Sequence, residues 1–204
     1  MTARLVVLVS GAGSNAQALI DASAAESYGA TVVAVGADRP DIGGLELARR
    51  AGIPSFVHRV SDFDGRDAFD AAVAASTAEH APDLVVSAGF LKLLGEPFMK
   101  LFGGRFVNTH NSLLPSFPGM RGPAAALEYG VKVTGATLFM VDSGVDTGQI
   151  IAQVPVPVHD DDTVDTLTER IKVAERAQLV ESVGRMVREG WRVDGRRVII
   201  GRPV

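Results

Sequence analysis

The chain has 204 residues, 47% of them hydrophobic and 22% charged, with a formal net charge of -4 and no cysteine. This is the composition of a globular chain that can bury a continuous core, and it argues against disorder. The acidic balance, with basic residues only in short pairs such as Arg49-Arg50 and Arg196-Arg197, argues against nucleic acid or a membrane surface as a partner, and the missing cysteines exclude disulfides, thiolate catalysis and cysteine-held metal while suiting a reducing cytoplasm.

In chain order, short β-branched runs alternate with helical stretches. Leu5–Ser10 reads as a strand; at five apolar residues, Leu5–Val9 is too short for a signal peptide or a membrane span. Asn15–Ala25 reads as helix, Thr31–Gly36 as strand and Leu45–Ala51 as helix. Ser55–Val60 reads as strand, Arg66–His80 as helix, Leu84–Ser87 as strand, Glu96–Leu101 as a short helix and Arg105–Asn108 as strand. Strands apolar on both faces, alternating with helices, predict βαβ units and an open sheet. Gly135–Val141 and Ile150–Val156 then predict antiparallel pairing across a Gly- and Asp-rich loop. Thr163–Arg188 reads as a long amphipathic helix, with Asp160-Asp161-Asp162-Thr163 at its start. Trp191–Val193 and Arg197–Ile200 flank Asp194-Gly195, a hairpin signal. The predicted fold class is α/β: a doubly wound, mostly parallel sheet with antiparallel C-terminal strands. Without a repeat or a long linker, residues 1–204 read as a single domain.

Gly11-Ala12-Gly13-Ser14-Asn15 follows the first strand and opens the first helix. Its glycines let a ligand approach the backbone, and a helix N-terminus offers free N–H groups to an anion. Ser14 and Asn15 add side-chain donors, so a phosphate fits here, although such a turn also serves as a plain tight connection. Ala16 breaks the dinucleotide fingerprint, and the Lys-Ser/Thr ending of a P-loop is missing.

Asn108-Thr109-His110-Asn111-Ser112-Leu113-Leu114-Pro115 is the most informative stretch. It lies at the carboxyl end of a predicted strand, where open α/β sheets place ligands. Alternation puts Asn108 and His110 on one face. An amide donor beside an imidazole suits acyl transfer, which needs a donor for the developing oxyanion and a group that moves a proton. The loop Asp142-Ser143-Gly144-Val145-Asp146-Thr147-Gly148 offers Asp146 as a carboxylate that could stabilise a protonated His110. His58, His80 and His159 lie in no comparable context.

Together these segments resemble the folate-dependent formyltransferase family. The resemblance rests on Ser10–Asn15, Phe63-Asp64-Gly65-Arg66, Ala81–Val86, Ala88-Gly89-Phe90-Leu91-Lys92-Leu93-Leu94, Asn108–Gly119 and Asp146-Thr147-Gly148 with Ile150–Gln153. It runs from Leu5 to about Val180. It implies a Rossmann-like formyltransferase fold whose N-terminal half binds phosphate and whose C-terminal half binds folate and performs catalysis. It also implies direct transfer of a formyl group from 10-formyltetrahydrofolate, as co-substrate, to the amine of glycinamide ribonucleotide, with no metal and no covalent intermediate. By the same resemblance Asn108 holds the formyl oxygen and also touches the folate, His110 moves the proton, and Asp146 supports the imidazole. Gly13, Ser14 and Asn15 would grip the ribose phosphate and Glu175 the glycinamide end, while Arg66, Leu91, Lys92, Leu93 and Leu94 would line the folate site. The implied partners are these small molecules alone, for a monomer or a homodimer.

The sequence departs from the family pattern at Asn111, where proline is usual, at Arg121 and Phe139, where many relatives have histidine, and at Lys92, where arginine is frequent. Arg121 and Phe139 keep a different amine acceptor open, such as an amino sugar nucleotide. A non-catalytic nucleotide-binding module on the same fold is the alternative from another class.

Overall fold

Leu5 to Val9 have no exposed surface, so both faces of the first strand are covered, as parallel sheets require. A computed structural model describes residues 2–201, which form two compact units that divide between Asn108 and Thr109.

In the first unit the strands are β1 (Ala3–Val9), β2 (Ala30–Ala37), β3 (Ser55–Val57), β4 (Leu84–Ser87) and β5 (Phe106–His110), whose last two residues begin the second unit. They pair in the order β3-β2-β1-β4-β5, all parallel. Between them lie α1 (Ser14–Ser23), α2 (Gly43–Arg50), α3 (Arg66–Glu79) and α4 (Glu96–Phe102). The order reverses between β1 and β4. Their two following loops, at residues 10–13 and 88–95, therefore leave side by side, the position where such sheets open a ligand crevice. The loops are tied together: Ser10 N–H donates to Gly89 O at 3.1 Å, and Leu91 N–H donates to Ser10 Oγ at 2.8 Å.

The second unit holds β6 (Val133–Met140) and β7 (Ile150–Pro157), paired antiparallel with Thr134 opposite Val156 and Leu138 opposite Ala152. The long helix α6 (Val164–Glu189) packs on both strands through Ala136, Val156, Leu167 and Ile171. Thr163 caps α6, accepting from the Thr166 backbone N–H while its own N–H donates to Thr166 Oγ1. This reciprocal box satisfies two otherwise orphaned donors. A hairpin follows, β8 (Trp191–Asp194) and β9 (Arg197–Ile200), with β9 against β7 and α6.

The expected α/β class, mostly parallel with antiparallel C-terminal strands, is thus the one observed. Two expectations need correction. The strand at Ser55–Val60 stops at Val57, and Val60–Asp62 forms a 3-10 turn. Helix α5 (Gly122–Tyr129) was absent from the predicted elements. Its eight residues are too few for a clear period, although Pro123 near the start and Gly130 just past the end are boundary signals.

Phe98 on α4 is fully buried, its ring 4.7 Å from Phe102 and 5.0 Å from Phe106. Phe98→Ala should destabilise the fold by about 3–5 kcal/mol, the usual cost of emptying an aromatic core site; urea unfolding of the two proteins measures it.

Candidate active site

Gly13 caps α1 in the left-handed region, at φ 78°. A Cβ there would lie 2.7 Å from Gly44 Cα, so glycine is needed for space as well as conformation. Around Gly11 the space is open. The first helical N–H groups of Ser14 and Asn15 have no acceptor within the helix. Asn15 is buried, and its Oδ1 has no hydrogen-bond partner among the described residues. The turn therefore offers an open approach, free backbone donors and one unengaged amide oxygen to a ligand.

The segment at 89–95 leaves β4 beside this turn. Leu91 and Leu93 stand out at 55% and 62% exposure, while Leu94 turns into the core. Arg66, at the start of α3, donates from Nη2 to the Leu93 carbonyl and lies 3.5 Å from Asp70. Asp70 in turn accepts from Gly95 N–H at 2.7 Å. Burial pushes the Asp70 carboxyl up, against the pull of the Gly95 bond and the nearby Arg66 guanidinium. Lys92 reaches Asp38 Oδ2 at 3.1 Å. Arg66 and Leu91 to Leu94 are thus brought together, with the Lys92 ammonium engaged by the protein itself.

In the second unit His110 is 7% exposed. Its Nε2 lies 2.9 Å from Phe117 O. A carbonyl can only accept, so Nε2 carries a proton. On the other edge Nδ1 is 3.6 Å from Asp146 Oδ2, and the same oxygen accepts from Gly119 N–H at 2.7 Å. Phe117 and Asp146 both have positive φ, 54° each, an uncommon setting for side-chain-bearing residues that surrounding contacts must maintain. Ser112 helps by donating to Ser116 O at 2.6 Å and Phe117 O at 3.1 Å. Thr137 on β6 donates to Ser112 O and accepts from Leu114 N–H, and Gln153 on β7 donates to Leu114 O. The chain carrying His110 and its acceptor is therefore sewn to the antiparallel pair. On β5, Asn108 is half-buried two residues before His110, on the same strand face. Glu175 is buried on α6.

The sequence profile of the formyl transferase family matches residues 3–183. The chain belongs to the formyl transferase family. It is 54% identical over 99% of its length to phosphoribosylglycinamide formyltransferase of Mycobacterium tuberculosis, covering 93% of that protein. It is 45% identical, over 85% of its length, to the human trifunctional purine biosynthetic protein adenosine-3, of which it spans 17%. Among solved structures, glycinamide ribonucleotide transformylase 1 from Symbiobacterium toebii superposes with a TM-score of 0.95 at 40% identity, covering 98% of this chain and 95% of that one.

Within this formyl transferase fold the departures from the family pattern take physical form. Phe139 is buried in β6 and faces no open space. Arg121 is exposed at the N-cap of α5. The Asn111 carbonyl and its Oδ1 would both lie 2.8 Å from a Cβ at Gly122, so the start of α5 lies tight against Asn111 and needs glycine there. Sequence reasoning missed Asp38, Asp70 and Thr137, none of which sits in a motif with a chemical signature, and gave no role to Ser112 within the Asn108–Pro115 stretch. The nearest signal was Asp38 standing directly after a buried strand.

Asp38 is the strongest of these. Burial opposes its ionisation, but bonds from Arg39, Lys92 and Ser10 outweigh that and hold its carboxyl below the usual range. A depressed carboxylate adds stability that is present above the unfolded value and lost as pH falls through the folded one. The stability gap between wild type and Asp38→Asn should therefore be constant above about pH 5 and shrink below about pH 4, where unfolded aspartate protonates. Urea unfolding at stepped pH values checks this.

Proposed function

We propose that this protein transfers the formyl group of 10-formyltetrahydrofolate to the amine of glycinamide ribonucleotide, a step of purine synthesis. The observation that carries the reading is the His110–Asp146 pair, its imidazole buried, in a formyl transferase chain that is 54% identical to a phosphoribosylglycinamide formyltransferase over nearly its whole length.

In this reading the neutral amine attacks the formyl carbon. A new C–N bond forms, the bond from that carbon to N10 of the folate breaks, the amine loses a proton and N10 gains one. Asn108 donates to the oxygen that becomes negative, as transition-state stabilisation requires. His110 moves the proton. Asp146, held by the Gly119 N–H, keeps the imidazole oriented during transfer. Gly13, Ser14 and Asn15 take the ribose phosphate at the start of α1, a natural anion site. Glu175 anchors the glycinamide end. Leu91 and Leu93 offer the folate ring apolar surface, with Lys92, Leu94 and Arg66 shaping that wall. No step calls for a metal. The protein works on these two small molecules in the cytoplasm, as a monomer or a homodimer. No helix among the described residues is long and apolar enough to cross a membrane.

A formyl-transfer assay with 10-formyltetrahydrofolate should give turnover above about 1 per second with glycinamide ribonucleotide, in the range of enzymes on their own substrate. Folate binding with turnover only on another amine, an amino sugar nucleotide for example, would reassign the acceptor. His110→Ala and Asp146→Asn should each lower kcat by about a hundredfold or more while folate binding survives. Near-wild-type turnover in either variant would remove these roles.

A further inference from the structure

The hairpin β8–β9 lies beyond residue 183, where the formyl transferase match ends, and none of the reaction's roles uses it. Its turn has two central residues, Gly195 and Arg196. Gly195 takes the first with φ 57°, the place that a type II′ hairpin gives to glycine. Arg196 is thereby carried at the tip of a short hairpin arm. The base of the arm is fixed: Gly201 N–H donates to Gly190 O at 2.9 Å, and β9 packs on β7 and α6.

Arg196 spends its guanidinium on the loop between β6 and β7. Nη1 donates to Thr147 O at 2.8 Å and Nη2 to Gly148 O at 3.1 Å. These are successive carbonyls, immediately after Asp146. A planar fork with two parallel N–H groups suits such a pair, and a single ammonium does not. On its inner side the loop is closed by Asp142, whose Oδ1 accepts from Gly144 N–H at 3.0 Å and Thr147 Oγ1 at 2.7 Å. Gly148 itself is seated so that a Cβ would overlap the Met140 carbonyl. Between these fixings Asp146 keeps its positive φ and presents Oδ2 to His110 and to Gly119 N–H.

We infer that Arg196 is a positioning residue: it latches the 147–148 backbone so that Asp146 holds His110 in line for transfer. This rests on the reading of His110 and Asp146 under Proposed function. An exposed arginine adds little to global stability. Its effect is geometric, because small displacements of a reacting group cost rate out of proportion to their energy.

The test compares wild type, Arg196→Ala, Arg196→Lys and the adjacent control Arg197→Ala as full-length proteins. Two readouts are needed: steady-state formyl transfer, and hydrogen–deuterium exchange of residues 142–149. Arg196→Ala should lower kcat by about tenfold with KM for both substrates nearly unchanged, the signature of an interaction that matters in the transition state. Exchange in 142–149 should rise at the same thermal midpoint. Arg196→Lys should recover part of both losses, and Arg197→Ala should change neither. Unchanged exchange in Arg196→Ala, a kcat within about twofold of an active wild type, or an equal effect from Arg197→Ala overturns the latch. A wild type that transfers no formyl group would instead sink the functional reading, and the exchange data would still decide whether Arg196 holds the loop.

Discussion

A buried imidazole must find a partner for each of its nitrogens, since an unmet polar group inside a protein costs as much as a lost hydrogen bond or more. For His110 the Phe117 carbonyl meets one nitrogen and the Asp146 carboxylate stands 3.6 Å from the other, and both residues hold an uncommon positive φ. Neither is supplied by a regular element. The antiparallel pair β6–β7 therefore does more than extend the fold. Thr137 and Gln153, pointing from its two strands, hold the Ser112–Leu114 backbone in place, and the loop joining those strands brings Asp146. The chemistry assigned to His110 depends on that scaffold remaining still.

The first unit solves a related problem with side chains. Its 89–95 segment has no secondary structure of its own, yet it must present Leu91 and Leu93 outward. Ser10 fixes its near end, Asp70 its far end, and Asp38 and Arg66 hold the middle through Lys92 and the Leu93 carbonyl. Two buried carboxylates thus substitute for a ladder. This also explains why lysine is tolerated where arginine is frequent. One ammonium suffices to meet Asp38, and a bidentate fork is not called for at that contact.

Much of this was legible in the sequence. The buried strands announced themselves as continuous apolar runs, and Leu84–Ser87 and the final hairpin strand Arg197–Ile200 have the predicted bounds. The Gly11–Asn15 turn and the Asn108–His110 alternation were readable because both follow from local geometry. What escaped was set by contacts distant in sequence. No local pattern shows that Lys92 will meet Asp38, that Thr137 will reach Ser112, or that Arg196 will span back to residue 147. Lys92 was expected to line a folate site, and no local pattern told that its ammonium would also be tied to Asp38. Phe139 suggested a changed acceptor site by its identity alone; the structure buries it in β6. Ser55–Val60 read as one strand because β-branched Val60 follows Val57 closely, although the β2 pairing has already ended at Val57.

Leu91 and Leu93 keep large apolar side chains in water beside the point where the strand order reverses. Hydration of such surface carries a heat capacity that disappears when a flat ring covers it. Occupation of this wall should therefore grow more exothermic as temperature rises. Much of the grip on a ligand there would come from released solvent, with few directional contacts, and would survive changes to the ring's polar edge better than changes to its area.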